Sequence, residues 1–247
     1  MKTRRFRKKY FAIAVVFALA IGAAAFYFQT PAVDETFAPT RFSGETVVID
    51  AGHGGEDGGA VSVSGAVESQ INLAIALRLD QILGLYGVNT VLLRDSDVSL
   101  HDPEAQTLRE KKVSDLHNRV AAIEALENPV LISIHQNTYT SSQYHGAQVF
   151  FSNGELSLPL AQITQATLKQ ALDPSNERQP AVIPETVYLM NHISCRAILV
   201  ECGFLSNPQE DQLLQSPGYQ TKLAAALAGA YLSYQQMDLE GETPDAS

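Results

Sequence analysis

Basic residues are scarce once the first ten positions are set aside. Lys2, Arg4, Arg5, Arg7, Lys8 and Lys9 fall in residues 1–10 with no acid among them; removing those six from the 17 basic residues leaves 11 against 27 acidic ones, about −16 formally. A body this acidic lacks the footprint of a nucleic-acid binder, and charge alone would not draw it to anionic lipid. Repeats at solenoid or propeller spacing are absent, which sets those architectures aside. Charged residues make up only 18% of the chain and apolar ones 45%, a globular rather than a disordered composition. Its 247 residues suit one compact domain with a short leader. Cysteine is nearly absent: Cys202 sits in a strand-like run and Cys195 just before it. A strand rises ~3.3 Å per residue, so that separation exceeds disulfide reach unless the chain folds back, and two buried free thiols are expected. No HExxH signature occurs, so the zinc peptidases marked by it find no support.

What is present begins with an uncharged, almost wholly apolar run from Phe11 to Phe28. As a helix those residues would span roughly 27 Å, enough for a bilayer core. The basic cluster before the run predicts a cytoplasmic N-terminus and an extracytoplasmic remainder. The run reads as a retained signal anchor; a cleaved signal peptide, cut near Ala23-Ala24-Ala25, is the other reading. Residues 29–44 hold two prolines and no hydrophobic period, and read as a linker to a domain over 45–236. Residues 237–247 are expected to form a flexible acidic tail.

Within that domain strands and helices alternate. Strands are predicted at Val47–Asp50, Thr90–Leu93, Val130–Ile134, Ala147–Phe151, Val187–Met190 and Ile198–Val200. Helices are predicted over a stretch containing Ile71 to Leu83, then at Leu108–Leu126, Leu158–Leu172, Pro208–Leu214 and Tyr219–Tyr234. Such alternation implies an α/β fold, three layers with a mainly parallel, roughly six-stranded central sheet. Ligands of such sheets bind beyond the carboxyl ends of the strands.

Three polar residues fall at or just beyond three such ends. His53 follows the first strand after Ala51-Gly52, His135 directly follows Val130–Ile134, and Glu201 directly follows Ile198–Val200. Glu68 opens the helix after the first strand, and that helix start faces the same rim. Taken singly each has a bland reading, a loop histidine or a glutamate complementing a helix dipole. Together, two imidazoles and two carboxylates on one rim suit a zinc site with three protein ligands and an open position, the remaining carboxylate serving as general base. The loop GHGGEDGGA lacks the Lys-Ser/Thr of a P-loop and carries Glu56 and Asp57, which repel an anion. Its glycines suit close backbone approach instead. His101, His117, His145 and His192 are lesser ligand candidates, and Tyr139 and Tyr144 are candidates for a groove wall.

VVIDAGHGG at 47–55, Glu68, LISIHQN at 131–137 and ILVECGFLSNPQE at 198–210 resemble the zinc-dependent N-acetylmuramoyl-L-alanine amidases over about residues 45–235. The resemblance implies one Zn2+ per chain held by His53, Glu68 and His135, Glu201 as catalytic glutamate, Asn137 lining the substrate groove, and Arg119 in a structural part. Glu124, Arg196 and Gln136 depart from residues common in the family; none is a proposed ligand. Within the family the chain is most similar to the germination-specific, CwlD-like members. That likeness implies hydrolysis of the N-acetylmuramic acid–L-alanine bond in spore cortex peptidoglycan, leading to muramic-δ-lactam with a partner deacetylase, and an accessory lipoprotein. It also implies an extracytoplasmic location, membrane-held or secreted, including the space between the forespore membranes. A vegetative wall amidase and an inactive peptidoglycan-binding relative are the other readings.

Overall fold

The computed structural model describes residues 44–241. The basic n-region, the apolar run Phe11–Phe28 and nearly all of the linker lie outside the described residues. Among the described residues no helix is long and apolar enough to cross a membrane.

Six strands form one sheet: β1 (Thr46–Ala51), β2 (Asn89–Leu92), β3 (Pro129–Asn137), β4 (Gln148–Phe151), β5 (Ala181–Val182) and β6 (Arg196–Phe204), in the order β2-β1-β3-β6-β4-β5. Four pairings are parallel and one, β4 against β6, is antiparallel, so β4 and β5 run opposite to the other four strands. The sheet is therefore mixed and mostly parallel, with helices on both faces, as the alternation predicts. β1 is buried along its whole length, which is why it reads as a continuous apolar run.

The pleat sends alternate residues to opposite faces. Val47, Ile49, Ile132, Ile134 and Val200 pack on one face beneath α1 (Glu68–Leu85), α3 (Leu158–Leu172) and α6 (Pro217–Gly241). Val48, Leu131, Ala197 and Leu199 pack on the other, against Ile123 of α2 (Leu108–Glu124) and Leu189 and Met190 of α4 (Tyr188–Asn191). Each fully buried Val, Leu or Ile contributes roughly 1.5–3 kcal/mol, so both faces are firmly covered. α2 starts at a capping box in which Thr107 and Glu110 satisfy each other's backbone N–H groups.

Val187–Met190, expected as a strand, is instead the entry to the short helix α4. Leu189 and Met190 are buried beside α2, and the sheet edge is completed by β5, which the sequence reading missed. A four-residue apolar run has no period that separates the two states. At the C-terminal end, α5 (Pro208–Gln215) precedes α6, which runs to Gly241, past residue 237 where the tail was expected to begin. Cys195 and Cys202 are buried free thiols, in keeping with their separation along the chain.

Candidate metal centre and active site

β1, β3 and β6 are neighbours, so their carboxyl ends share one rim of the sheet. β1 leads through Gly52 into a turn where His53 adopts a left-handed backbone, φ 62°. A non-glycine residue there is strained, and such strain persists only where surrounding contacts hold it. Arg119 and Arg94 supply them: Arg119 Nη2 donates to the His53 carbonyl at 2.8 Å, and Arg94 donates to the Ala51 and Gly52 carbonyls at 2.8 and 3.1 Å. Arg119 is itself buried in ion pairs with Asp50, at the end of β1, and Asp115.

His53, Glu68 and His135 converge. One ligand atom from each lies within 4.8 Å of the others, and among the described residues this is the one group of three or more His, Cys, Asp or Glu side chains that could hold a metal ion. Glu68 Oε1 is 3.1 Å from His135 Nδ1 and 3.4 Å from His53 Nε2. Its carboxylate is also held by three donors: Ala60 N–H to Oε2 at 2.8 Å, and Gln136 N–H and Asn72 Nδ2 to Oε1 at 3.1 and 3.3 Å. Burial alone would raise the Glu68 carboxyl, but hydrogen bonds and charge from the two histidines hold it well below the carboxylate range. His53 Nδ1 faces Asp57 Oδ2 at 3.0 Å. Burial alone would lower the His53 imidazole, but bonding to Asp57 and Glu68 raises it to about 9.

The glycines of the loop are required by space. A Cβ on Gly52 would meet the His135 ring at 2.2 Å, and one on Gly59 would meet Glu68 Oε2 at 2.6 Å and the His53 ring at 2.7 Å. Gly59 also sits at φ +72°, which L side chains rarely adopt.

Glu201 stands directly opposite His135 in the β3–β6 ladder. Its Oε2 is shielded from solvent and has no hydrogen-bond partner among the described residues. Burial raises its carboxyl to about 7, with His135 opposing that rise and Glu68 adding to it. An orphaned carboxylate oxygen beside a buried strand end is costly unless a ligand completes it. Asn137 closes β3 opposite Phe204, and its carbonyl accepts from Leu205 N–H at 2.8 Å. A cavity of about 160 Å3 borders His53 and His135 and is walled by Leu116, Tyr188, Met190 and Leu199.

The profile of the N-acetylmuramoyl-L-alanine amidase family matches residues 47–232. The chain belongs to this family. The amidase is 33% identical over 193 residues to the germination-specific N-acetylmuramoyl-L-alanine amidase of Bacillus subtilis, covering 78% of this chain and 80% of that one. The CwlD amidase of Clostridioides difficile, solved in complex with the GerS lipoprotein, matches with a TM-score of 0.75 at 36% identity, over 78% of this chain and 99% of that one. A second amidase structure, from Clostridium difficile 630, matches with a TM-score of 0.67 at 27% identity, over 81% and 98%. The activity is thus N-acetylmuramoyl-L-alanine amidase activity on peptidoglycan.

The amidase brings together the four residues that the strand ends and helix start single out, and leaves the other histidines elsewhere. His101 bonds Ser99, His145 bonds Asp173, and His117 and His192 flank the Tyr188 ring. Sequence reading missed Asn72, Asp57 and Arg94, which orient Glu68, His53 and the loop between them. For Asn72 a signal existed: a polar residue in the apolar stripe of α1, fully buried, has to have partners.

Proposed function

We propose that this amidase works as a zinc hydrolase in which His53, Glu68 and His135 hold the ion, Glu201 is the general base, and Asn137 contacts substrate. The observation that carries this is the gathering of three donor side chains within 4.8 Å beside the unpartnered Oε2 of Glu201. Two imidazoles and a carboxylate fit the borderline preference of zinc and leave a position open. When bound, zinc supplies Lewis-acid polarisation of the scissile carbonyl and lowers the pKa of water to ~7.

The chain's own residues do the rest. Asp57 accepts a hydrogen bond from the Nδ1–H of His53, which fixes the tautomer and would leave Nε2 free to hold the ion. Asn72, Gln136 N–H and Ala60 N–H hold the Glu68 carboxylate in one orientation. Glu201 accepts the proton of the attacking water and hands it to the L-alanine nitrogen as the C–N bond breaks, so the amine leaves neutral.

Likeness to the germination-specific B. subtilis enzyme supports a part in germination; in this reading the substrate is spore cortex, and stem-peptide removal prepares muramic-δ-lactam formation by a deacetylase. The lipoprotein bound to the C. difficile relative supports an accessory lipoprotein here. The basic and apolar N-terminal residues support delivery across the membrane, with the apolar run retained as an anchor. Metal analysis of the purified protein, joined to a mass-resolved digest of cortex and vegetative peptidoglycan, tests the reading. About one zinc per chain, free stem peptides and bare glycan, with faster release from cortex, are expected. Intact muropeptides, or full turnover by metal-free protein, would overturn it.

A further inference from the structure

The loop between β3 and β4 exposes two aromatic side chains on the active rim. Tyr139 is 57% exposed and Tyr144 40%, and their rings meet edge to face with centroids 4.7 Å apart. Tyr144 in turn stacks on buried Phe204 at 6.2 Å, and the Arg178 guanidinium lies over the same Phe204 ring at 4.9 Å. Exposed rings on a loose loop would signify little. This loop is tied down. Tyr139 N–H donates to Ser206 Oγ at 3.0 Å, and Asn207 Nδ2 donates to the Ser142 and Tyr144 carbonyls at 3.0 and 3.2 Å. The same Asn207 caps α5 through Oδ1, and Glu210 on α5 accepts from Gly146 N–H at 2.9 Å.

The ledge adjoins the catalytic rim. Phe204 lies opposite Asn137 in the β3–β6 ladder, two residues past His135. On the other edge of β6, Gln148 stands opposite Glu201, which places their side chains on one face of the sheet. Arg178 Nη1 donates to Gln148 Oε1 at 3.4 Å, linking that face to the ring under Tyr144. Beside Tyr144 an open depression of about 510 Å3 is lined by Gln143, His145, Asn176, Glu177 and Arg178. The lining holds both signs of charge along with planar amides.

An aromatic face next to planar polar groups matches a pyranose ring, whose C–H face packs on an arene while its hydroxyl and acetamido edge exchanges hydrogen bonds. A stem peptide, rich in amides and carboxylates, has less use for exposed arene. Water-exposed apolar surface held in one conformation is stabilised when a ligand covers it. We propose that the Tyr139–Tyr144 ledge and the depression beside it form a glycan subsite, which holds a sugar next to the muramoyl residue being cleaved. This rests on the amidase reading and names the part of the substrate that the ledge grips.

The test uses the full chain with wild type, Tyr139→Ala, Tyr144→Ala and Tyr144→Phe. Two substrates are compared, a single muramoyl residue bearing its stem peptide and a polymeric glycan strand bearing stems. Both alanine variants should lose roughly tenfold in kcat/KM on the polymer, mostly through KM, the scale of one lost aromatic contact. They should match wild type on the single muramoyl peptide, and Tyr144→Phe should match it on both. Equal losses on both substrates, or none on the polymer, would overturn the subsite. Calorimetric binding of a peptide-free tetrasaccharide is read separately, and should weaken in Tyr144→Ala. Unchanged tetrasaccharide binding sinks the subsite whatever the kinetics; lost association with another protein beside it would assign the ledge to a partner. Failure of the amidase reading looks different: wild type would cut neither substrate.

Discussion

Glu201 and His135 face each other across the β3–β6 ladder, the first with an unpartnered buried oxygen, the second against Glu68. Two adjacent strands thus present a carboxylate and an imidazole to the same space. Glu201→Gln keeps the shape of the side chain and removes its ability to take a proton. Zinc content should stay at the wild-type level while turnover falls by ~10²–10⁴-fold. Metal analysis alongside stem-peptide release measures both, and near-normal turnover would remove Glu201 from the mechanism.

His135→Ala deletes a donor instead. Metal content and rate should fall together, because two remaining donors grip the ion poorly. A fully metallated His135→Ala protein would mean that the donor set is wrong.

Gly52→Ala probes the close packing of the loop. The added Cβ would meet the His135 ring at 2.2 Å, so either the ring or the backbone has to move. Overpacking of this kind costs roughly 1–3 kcal/mol, and a ring pushed off its place should also lower metal affinity. A lower Tm together with a weaker zinc titration is expected. Wild-type values for both would show that the loop has slack.

Arg119→Met probes the buried ion pair behind the site. Burial by itself would raise the Asp50 carboxyl, but the Arg119 charge and bonds from Ser133 and Arg119 keep it below its ordinary 3.8. In the wild type Asp50 therefore contributes stability that is complete above the unfolded value and lost as pH falls through the folded one. Without Arg119 burial dominates, the folded value rises above the unfolded one, and the sign reverses: the variant is penalised at neutral pH and recovers as the pH drops. The variant should lose about 3–5 kcal/mol near pH 7, the cost of leaving a buried charge unpaired. Its deficit in Tm should shrink between pH 7 and pH 4. A deficit independent of pH would show that Asp50 is not the group left unpaired.

Much of the site was legible because each chemical residue interrupts a pattern. His53 follows β1, and Glu68 opens an amphipathic helix; His135 and Glu201 end apolar runs, though β3 and β6 extend past them to Asn137 and Phe204. Arg94, Asn72 and Asp57 went unread because their partners lie elsewhere along the chain or their role appears only in contact. Arg94, for instance, bonds carbonyls 43 and 25 residues away, at Ala51 and Ser69. The misreading of Leu189 and Met190 has a similar cause: four apolar residues state that they are buried, and only their neighbours decide whether they are buried as strand or helix.

By itself the sequence determined where most of the strands and helices fall, because burial on one face or both imprints a period of two, of 3.6, or a continuous run. It also determined which residues carry donors. Tertiary structure alone decided that β1, β3 and β6 lie side by side, that β4 turns antiparallel, and that His53, Glu68 and His135 share one point. Strand order is set by which buried faces pack best against the helices, a comparison of long-range contacts that no local run of residues can express.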